Sequence, residues 1–329
     1  MESFTYARAT ETAAAIAAHD AASAFIAGGT DLLQLLKAGI QSPRHLVDIN
    51  ALDMAAIEVT PAGARIGALA RMADVADHPG IVEHFPALSQ ALLLSASAQL
   101  RNMASMGGNL LQRTRCTYFR DPAPAACNKR RPGSGCAAIG GENRLHAILG
   151  GSDACVATHP SDLAVALVAL DAVVRLQGPA GQRTVPVEDF YTLPGATPHI
   201  ESVLRQGELV VGIDLPGSAR ARRSHYLKVR DRASYEFALT SAAVGLDLDI
   251  QAGTVRSACV AMGGVGTRPW RLRAVEAALV DAPVDDPATW RTAAARATDG
   301  ARPLEHNGFK VELAKRTVQR ALEETAALR

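Results

Sequence analysis

The chain has 329 residues and a formal net charge of +1, with 48% hydrophobic and 20% charged residues. This length predicts two or three domains, and the near-neutral charge, without a basic stripe carrying interleaved aromatics, argues against nucleic-acid binding. The longest apolar run, residues 163–174, is shorter than the roughly 18 residues of a membrane helix, so we expect no membrane span. Glu2 and a mixed-polarity stretch follow Met1, which is not the pattern of a secretory signal.

The first 53 residues alternate between short helical and strand patterns. Helices are predicted at residues 10–19 and 32–37, and strands at 24–26 and 46–49. The first strand runs directly into a glycine turn, I-A-G-G-T-D, at residues 26–31. We therefore predict a small β–α–β–α unit.

A second glycine turn follows after another strand and two helices. The strand is predicted at residues 64–69, the helices at 72–77 and 87–97, and the turn is S-M-G-G-N at 105–109. Glycines let a ligand approach the backbone amides, and a following helix offers unpaired N–H groups to a diphosphate. Neither turn is a Rossmann or Walker motif, and each alone could be an ordinary tight turn. Two such turns predict a long ligand lying between two subdomains.

Four of the five cysteines fall in a loop of residues 110–158 that is rich in proline and glycine. They are Cys116, Cys127, Cys136 and Cys155. A loop of this length in a compact domain is usually functional or disordered, and structural disulfides are not expected without signs of secretion. Zinc sites favour close cysteine pairs, whereas a larger iron–sulfur cluster can accept ligands from separated positions. The wide spacing leaves both open.

The same loop carries cations that could offset the negative charge of four thiolates on a cluster. These are Arg113, Arg115, Arg120, Lys129, Arg130 and Arg131. A solvated basic surface is the alternative interpretation.

After the loop, Ser161 is predicted to cap a helix at residues 163–170, with Asp162 in its first turn. Strands are then predicted at residues 172–176, 183–187 and 209–215, and P-G-S at 216–218 suggests a domain boundary.

The last third of the chain predicts a three-stranded antiparallel sheet followed by helices. The strands are expected at residues 225–229, 242–250 and 254–262, and the helices at 271–279, 288–298 and 310–328. Cys259 lies in an apolar run and is expected to be a core residue.

The ordered set of motifs resembles the FAD-binding subunit of the xanthine dehydrogenase and molybdenum hydroxylase family. The motifs are A-G-G-T-D-L at 27–32, Q-L-R-N-M-A-S-M-G-G-N-L at 99–110, S-D-L-A at 161–164 and C-V-A-M-G-G-V-G-T-R-P at 259–269. The resemblance implies an α+β fold: a two-subdomain unit of the molybdopterin dehydrogenase FAD-binding type, then a CO-dehydrogenase-flavoprotein-like C-terminal domain with a three-stranded sheet and helices. The expected boundaries are 1–216, with subdomains 1–53 and 54–216 and the insert 110–158, and then 217–329.

The insert is similar to that of a branch whose flavin subunit carries an extra [4Fe–4S] cluster, the bacterial periplasmic aldehyde oxidoreductases. The shared stretches are R-C-T-Y-F-R-D at 115–121, C-N-K-R-R-P-G-S-G-C at 127–136 and H-A-I-L-G-G-S-D-A-C at 146–155. The resemblance implies a [4Fe–4S] cluster held by Cys116, Cys127, Cys136 and Cys155.

The resemblance also implies the residues that bind FAD. They are Ile26, Ala27, Gly28, Gly29, Thr30, Asp31, Leu32, Ser105, Gly107, Gly108, Asn109, Asp162, Lys228 and Tyr235. Asp162 is expected at the ribose or adenine side, with helix capping as the alternative. Lys228 is expected near the flavin, with a solvated strand lysine as the alternative. Tyr235 is expected to shield the isoalloxazine ring, with plain packing as the alternative.

In this family a flavin subunit works beside two partners. The resemblance implies a molybdopterin-binding large subunit, a small subunit with two [2Fe–2S] clusters and an external electron acceptor. No catalytic residue is expected in this chain, because the aldehyde chemistry would occur on the large subunit. Periplasmic location by co-export with a signal-bearing partner is expected, with the cytoplasm as the alternative. Other candidates are the flavin subunit of a related hydroxylase or reductase acting on xanthine or aromatic acyl-CoA, and a zinc-stabilised assembly module without catalytic activity.

Overall fold

A computed structural model describes residues 1–124 and 126–328, whose strands form three sheets. The first sheet is parallel, in the order β1-β3-β2. Its elements are β1 (Thr5–Arg8), α1 (Thr12–Ala17), β2 (Ser23–Ile26), α2 (Leu32–Lys37) and β3 (His45–Asp48). Helices α1 and α2 supply the crossovers that parallel strands require. The predicted β–α–β–α elements are confirmed, and β1, exposed along its length, is an addition.

The second sheet is antiparallel, with strand order β4-β5-β8-β6-β7. Its strands are β4 (Ile57–Thr60), β5 (Gly63–Gly67), β6 (Val173–Gly178), β7 (Gly181–Pro186) and β8 (Leu209–Pro216). Between β5 and β6 lie α3 (Met72–Asp77), α4 (Pro79–His84), α5 (Pro86–Leu93), α6 (Ala98–Met103), α7 (Met106–Leu110), α8 (Thr117–Arg120) and α9 (Asp162–Ala169). A short helix α10 (Val187–Phe190) precedes β8. The predicted strands of this region are confirmed, whereas β4 was not predicted.

Helix α9 is buried along its whole length. An apolar surface on all sides, as in L-A-V-A-L-V-A, is typical of a helix enclosed by other elements. It packs against α5 on one side and against the third sheet on the other. The predicted cap is confirmed, because the Ser161 hydroxyl accepts from the Ala164 amide at 3.0 Å. Asp162, in the first turn, is thereby fixed between the second and third sheets.

The third sheet is antiparallel, in the order β12-β11-β10-β9. Its strands are β9 (Ser224–Val229), β10 (Thr240–Asp249), β11 (Thr254–Gly263) and β12 (Trp270–Arg271), and its helices are α11 (Ala219–Arg222), α12 (Arg273–Leu279), α13 (Pro287–Ala294) and α14 (Phe309–Ala326). The three-stranded prediction is corrected by β12, and the helix predicted from residue 271 begins at Arg273. Arg271 belongs to β12 and not to the helix, because its buried guanidinium pairs with Glu276 and, at 3.0 Å, with Asp171. Cys259 is buried in β11, as predicted.

The cysteine loop is irregular apart from α8, but it is internally bonded. Cys127 and Cys136 pair as an isolated antiparallel bridge. The Asn128 side chain donates to the Ala154 carbonyl at 3.0 Å and accepts from the Gly135 amide at 2.9 Å. The loop is therefore a packed structure of the kind expected for a functional loop.

Within residues 1–124 and 126–328, no helix has the length and apolar character needed to cross a bilayer. The domain boundaries proposed above stay a prediction.

Candidate functional site

The two glycine turns lie directly against each other. A Cβ on Gly28 would fall 2.0 Å from the carbonyl oxygen of Met103, so this approach requires glycine. Arg71 reinforces it, because its guanidinium donates to Met103 O at 2.6 Å and to Asn50 Oδ1 at 3.1 Å. Asn50 in turn donates to the Ala27 carbonyl at 3.0 Å. One side-chain network thus holds the turn of the first sheet beside that of the second.

A cavity of about 560 Å³ opens between these turns. Its volume lies within the range of small-molecule and cofactor sites. The structure brings all the residues predicted to bind FAD to its wall: Ile26, Ala27, Gly28, Gly29, Thr30, Asp31, Leu32, Ser105, Gly107, Gly108, Asn109, Asp162, Lys228 and Tyr235. Their shared location is an observation, whereas their binding to FAD stays a prediction.

The second turn leaves an open backbone facing the cavity. Ser105 caps α7, accepting from the Gly108 amide at 3.2 Å. Among the described residues, a Cβ on Gly108 would contact only Ser105 Oγ, at 2.9 Å. Gly107 instead faces Ala68, and a Cβ added to Gly107 would lie 3.0 Å from the Ala68 Cβ. Gly107 therefore serves packing, and Gly108 leaves space that a bound diphosphate could enter.

Asp162 and Lys228 form a buried ion pair on the cavity wall. The Asp162 carboxylate accepts from Lys228 Nζ at 2.8 Å and from Tyr226 OH at 2.6 Å. The Ser95 hydroxyl lies 3.2 Å away and donates to the Ala91 carbonyl at 2.6 Å. A carboxylate has about four acceptor positions, so part of its capacity is left for a ribose. The Lys228 side chain is only 1% exposed and also donates to the Leu94 carbonyl at 3.0 Å. The alternative of a solvated strand lysine is therefore wrong.

The mouth of the cavity is formed by an exposed turn. Tyr235 has a φ of 54°, an uncommon conformation for a residue other than glycine, and its side chain is 55% exposed. Tyr235 is thus not packed into the core of the described chain, and its shielding of the isoalloxazine ring stays a prediction. Sequence reasoning missed Phe237 and assigned Arg115 only to the cysteine loop, although both line the cavity and the guanidinium lies 5.0 Å from the phenyl centroid. Phe237 could have been identified from its position two residues after Tyr235 in S-Y-E-F.

Asp31 joins the first turn to the cysteine loop. Its carboxylate accepts from the Arg113 amide at 2.9 Å, from Arg115 at 2.7 Å and from Arg120 at 2.8 Å. The side chain is thus occupied by the loop, and only the Asp31 backbone is left for a ligand. Arg115 and Arg120, predicted to compensate a cluster, share this one carboxylate, which offsets one of their two positive charges.

The four loop cysteines lie close to one another. Cys127 and Cys155 are buried, and Cys116 and Cys136 are half-buried. Burial raises the pKa of Cys116 to about 12, and the proximity of Cys155 and Cys127 contributes to the rise. Burial also raises the pKa of Cys155, while Lys129 opposes and the nearby Cys136 and Cys127 add to it. As free thiols, Cys116 and Cys155 would therefore stay protonated near pH 7, and a cationic centre would favour their thiolate forms.

The described residues contain no group of three or more His, Cys, Asp or Glu side chains arranged for a single metal ion. The described structure also shows all five cysteines unpaired. The [4Fe–4S] cluster and the zinc alternative both stay predictions.

His146 lies beside this group and was not predicted as a site residue. Its Nε2 is 3.2 Å from Cys116 Sγ, and the ring is buried. Burial, with the nearby Lys310, lowers the pKa of His146 to about 4 and keeps the imidazole neutral near pH 7. Its position at the head of H-A-I-L-G-G-S-D-A-C was the available signal, but a lone histidine carries little information.

The sequence matches two family profiles in succession. The FAD binding domain in molybdopterin dehydrogenase matches residues 2–218, and the CO dehydrogenase flavoprotein C-terminal domain matches residues 225–325. Among curated relatives, the aldehyde oxidoreductase FAD-binding subunit PaoB of Escherichia coli K12 is 49% identical over 99% of both chains. The glyceraldehyde dehydrogenase medium chain of Sulfolobus acidocaldarius is 26% identical over 92% of this chain and 90% of its own.

Solved structures share the fold. Carbon monoxide dehydrogenase from Hydrogenophaga pseudoflava superposes with a TM-score of 0.76 at 24% identity, covering 99% of this chain and 98% of the other. Quinoline 2-oxidoreductase from Pseudomonas putida 86 superposes with a TM-score of 0.75, also at 24% identity, covering 98% of this chain and 96% of the other. The expected fold class is confirmed, and FAD is the cofactor that the family profile supports. The chain therefore belongs to the family of FAD-binding medium subunits of the molybdenum hydroxylases.

Proposed function

We propose that this chain is the FAD- and [4Fe–4S]-binding subunit of a molybdenum-containing aldehyde oxidoreductase. One observation carries the proposal: the cysteine loop forms part of the wall of the cavity between the glycine turns. Arg113 and Arg115 line the cavity, and Cys116 follows in the chain. Full-length identity of 49% to a subunit named for aldehyde oxidoreductase supports the substrate class.

The chain's own residues position the flavin. The open backbone at Gly108 and the left-handed Gly29, with φ of 68°, present main-chain groups to the diphosphate. The buried pair of Asp162 and Lys228 fixes one wall, and Tyr235 with Phe237 covers the mouth. When bound, FAD exchanges single electrons with clusters and can pass two electrons to an acceptor.

The four cysteines supply the set of thiolates that a [4Fe–4S] cluster uses. Cys116 and Cys155 are each close enough to two of the other loop cysteines for their ionisation to be coupled. A cubane cluster is larger than a single ion and accepts thiolates from separated positions. Cys116, Cys127, Cys136 and Cys155 would hold it. We further propose that it relays electrons, because its loop adjoins the flavin cavity.

The proposed assembly is a heterotrimer. A molybdopterin-binding large subunit would oxidise the aldehyde, and a small subunit with two [2Fe–2S] clusters would pass electrons to this chain and on to an external acceptor. Co-export to the periplasm with a signal-bearing partner is part of the proposal. It rests on family resemblance alone.

The first test is the cofactor content of the complex, coexpressed with its neighbouring subunits and purified anaerobically. Iron, acid-labile sulfide, zinc and FAD are measured per chain, and the iron of the [2Fe–2S] subunit is subtracted. We expect one FAD and about four additional irons. One zinc with no additional iron would overturn the cluster, and absence of FAD would overturn the flavin site.

Substrate class is tested on the same preparation. Aliphatic and aromatic aldehydes and xanthine are compared by the rate at which they reduce the bound flavin, and an aromatic acyl-CoA by the rate at which it reoxidises the reduced flavin. Aldehydes are expected to react fastest. Preference for xanthine or the acyl-CoA would instead assign the chain to a related hydroxylase or reductase.

A further inference from the structure

The contact between His146 and Cys116 has a defined donor and a defined acceptor. His146 Nε2 lies 3.2 Å from Cys116 Sγ, while its Nδ1 is buried with no hydrogen-bond partner among the described residues. In the cationic ring Nε2 carries a proton, and in the neutral ring the single proton sits on the nitrogen that finds an acceptor. A ligating thiolate at Cys116 offers that acceptor. The proton therefore belongs on Nε2 and points at the sulfur.

The backbone of His146, which carries the ring, is fixed by buried hydrogen bonds. The His146 carbonyl accepts from Lys310 Nζ and from Asn307 Nδ2, both at 3.2 Å, and its amide donates to the Asn143 carbonyl at 2.9 Å. Asn143, Asn307 and Lys310 are each fully buried. Lys310 lies on α14 and Asn307 just before it, so an element outside the cysteine loop fixes the histidine. The backbone position of His146 beside Cys116 is therefore set by the fold.

We propose that His146 is a positioning residue that donates an N–H···S hydrogen bond to the Cys116 sulfur and thereby raises the reduction potential of the cluster. The inference rests on the proposed function, because it requires Cys116 to be a cluster ligand. Reduction places additional negative charge on the cluster and its thiolates. A donor aimed at one sulfur stabilises that charge, and hydrogen bonds to sulfur are among the factors that set cluster potentials.

The test compares two substitutions in the holoenzyme, purified with its partner subunits. His146→Phe fills the site without a donor, and His146→Gln retains a side-chain N–H. The midpoint potential of the [4Fe–4S] centre is measured by redox titration followed by electron paramagnetic resonance, with iron and sulfide counted in each variant. We expect a shift to more negative potential in H146F and a smaller shift in H146Q.

Tyr118→Phe is the matched control. Tyr118 lies in the same loop, and its hydroxyl accepts from the Glu142 amide at 2.7 Å, so its loss perturbs the loop without removing the donor to Cys116. Its potential is expected to equal that of the wild type. A shift in Y118F as large as that in H146F, or none in H146F with its iron intact, would overturn the proposal.

A second measurement keeps the proposal testable if H146F loses its iron. Wild-type holoenzyme labelled with ¹⁵N-histidine is reduced and examined by pulsed electron paramagnetic resonance. A weak coupling to one histidine nitrogen is expected from a hydrogen-bonded ring. No coupling, or the strong coupling of a directly ligated nitrogen, would contradict the inference. A wild type without additional iron would overturn the proposed cluster and this inference together, whereas unchanged potentials in iron-loaded variants would overturn only the role of His146.

Discussion

The glycines of the two turns are required for different structural reasons, although they look alike in the sequence motifs. Gly28 permits contact with the Met103 carbonyl, Gly107 permits packing on Ala68, and Gly29 has φ of 68°. Gly108 differs, because only its own capping serine, Ser105, would contact an added Cβ. At residue scale, a side chain at Gly108 would enter the cavity and would displace the Ser105 hydroxyl, 2.9 Å from the added Cβ, without meeting the backbone of another element.

Gly108→Val is expected to abolish FAD retention, because the side chain would occupy the space in front of the backbone. The measurement is flavin per chain in purified protein, together with thermal unfolding. Gly308→Ala is the control, since a Cβ there meets nothing within 4 Å and φ is −57°. Normal flavin content in G108V would contradict the diphosphate position, and similar flavin loss in G308A would indicate a general effect.

Asp31→Asn should loosen the cysteine loop while leaving the glycine turn in place. It removes the charge that pairs with Arg115 and Arg120, and hydrogen bonds to charged groups contribute roughly 1.5–3 kcal/mol each. Trypsin cleavage of the native protein within residues 110–158 is expected to become faster, with lower FAD content.

Asp249→Asn is the matched control, because its partner Arg256 is largely exposed and such pairs contribute about 0–1 kcal/mol. Its cleavage rate in residues 110–158 should equal that of the wild type. Equal rates in D31N and the wild type would show that Asp31 does not hold the loop.

At the scale of elements, the predictable parts were those with a strong pattern or motif. Helix α9 is a continuous apolar run with a serine cap, and the strands of the second and third sheets other than β4 and β12 were predicted from the sequence pattern. Strand β1 was missed because T-Y-A-R is exposed throughout and does not alternate. Helix α7 was interpreted as a turn because it contains two glycines, which disfavour helix, and the Ser105 cap with tertiary packing overrides that preference.

The cysteine loop shows where sequence reasoning ends. Its four thiols were predictable as a group, but their neighbours depend on contacts over long separations. His146 contacts Cys116, 30 positions away in the sequence, and Asp31 contacts Arg120, 89 positions away. No local period or spacing encodes such pairs. The sequence supplied the cysteines, the resemblance supplied their assignment to a cluster, and only the structure supplied what surrounds them.

Cys127→Ser is expected to lose the cluster and to destabilise residues 110–158. Cys127 is buried beside Leu35 and Phe119, and serine is a poor ligand for iron in place of thiolate. The measurements are iron per chain and the rate at which an aldehyde reduces the flavin in the assembled complex. Cys259→Ser is the control, because it changes an equally buried cysteine outside the loop and should retain full iron. Flavin reduction at the normal rate in iron-depleted C127S would refute the relay.

At the scale of the whole molecule, the C-terminal helix supports the site from a distance. Lys310, fully buried on α14, donates to the Gly264 carbonyl at 2.8 Å and to the His146 carbonyl at 3.2 Å. It thus links the third sheet, the last helix and the cysteine loop at one point. A buried lysine could not be distinguished from a surface lysine in the sequence, because an amphipathic helix usually directs such residues to solvent.

The buried amine makes stability depend on pH in a direction that can be derived. Burial, with a contribution from Arg144, lowers the pKa of Lys310 from 10.5 to about 7. Between these two values the unfolded chain holds more protons than the folded chain. The free energy of unfolding should therefore rise with pH from about 7 towards 10, with a slope from this group of at most about 1.4 kcal/mol per unit.

Lys310→Met removes that dependence and should give a flatter profile of unfolding against pH, measured by urea titration of the chain between pH 7 and 9. Lys37→Met, at an exposed position at the end of α2, should keep the wild-type slope. Thiols titrating in the same window contribute equally to all three proteins, so the difference in slope isolates Lys310. Parallel profiles for K310M and the wild type would mean that Lys310 remains charged in the folded state, with its two carbonyl bonds compensating its burial.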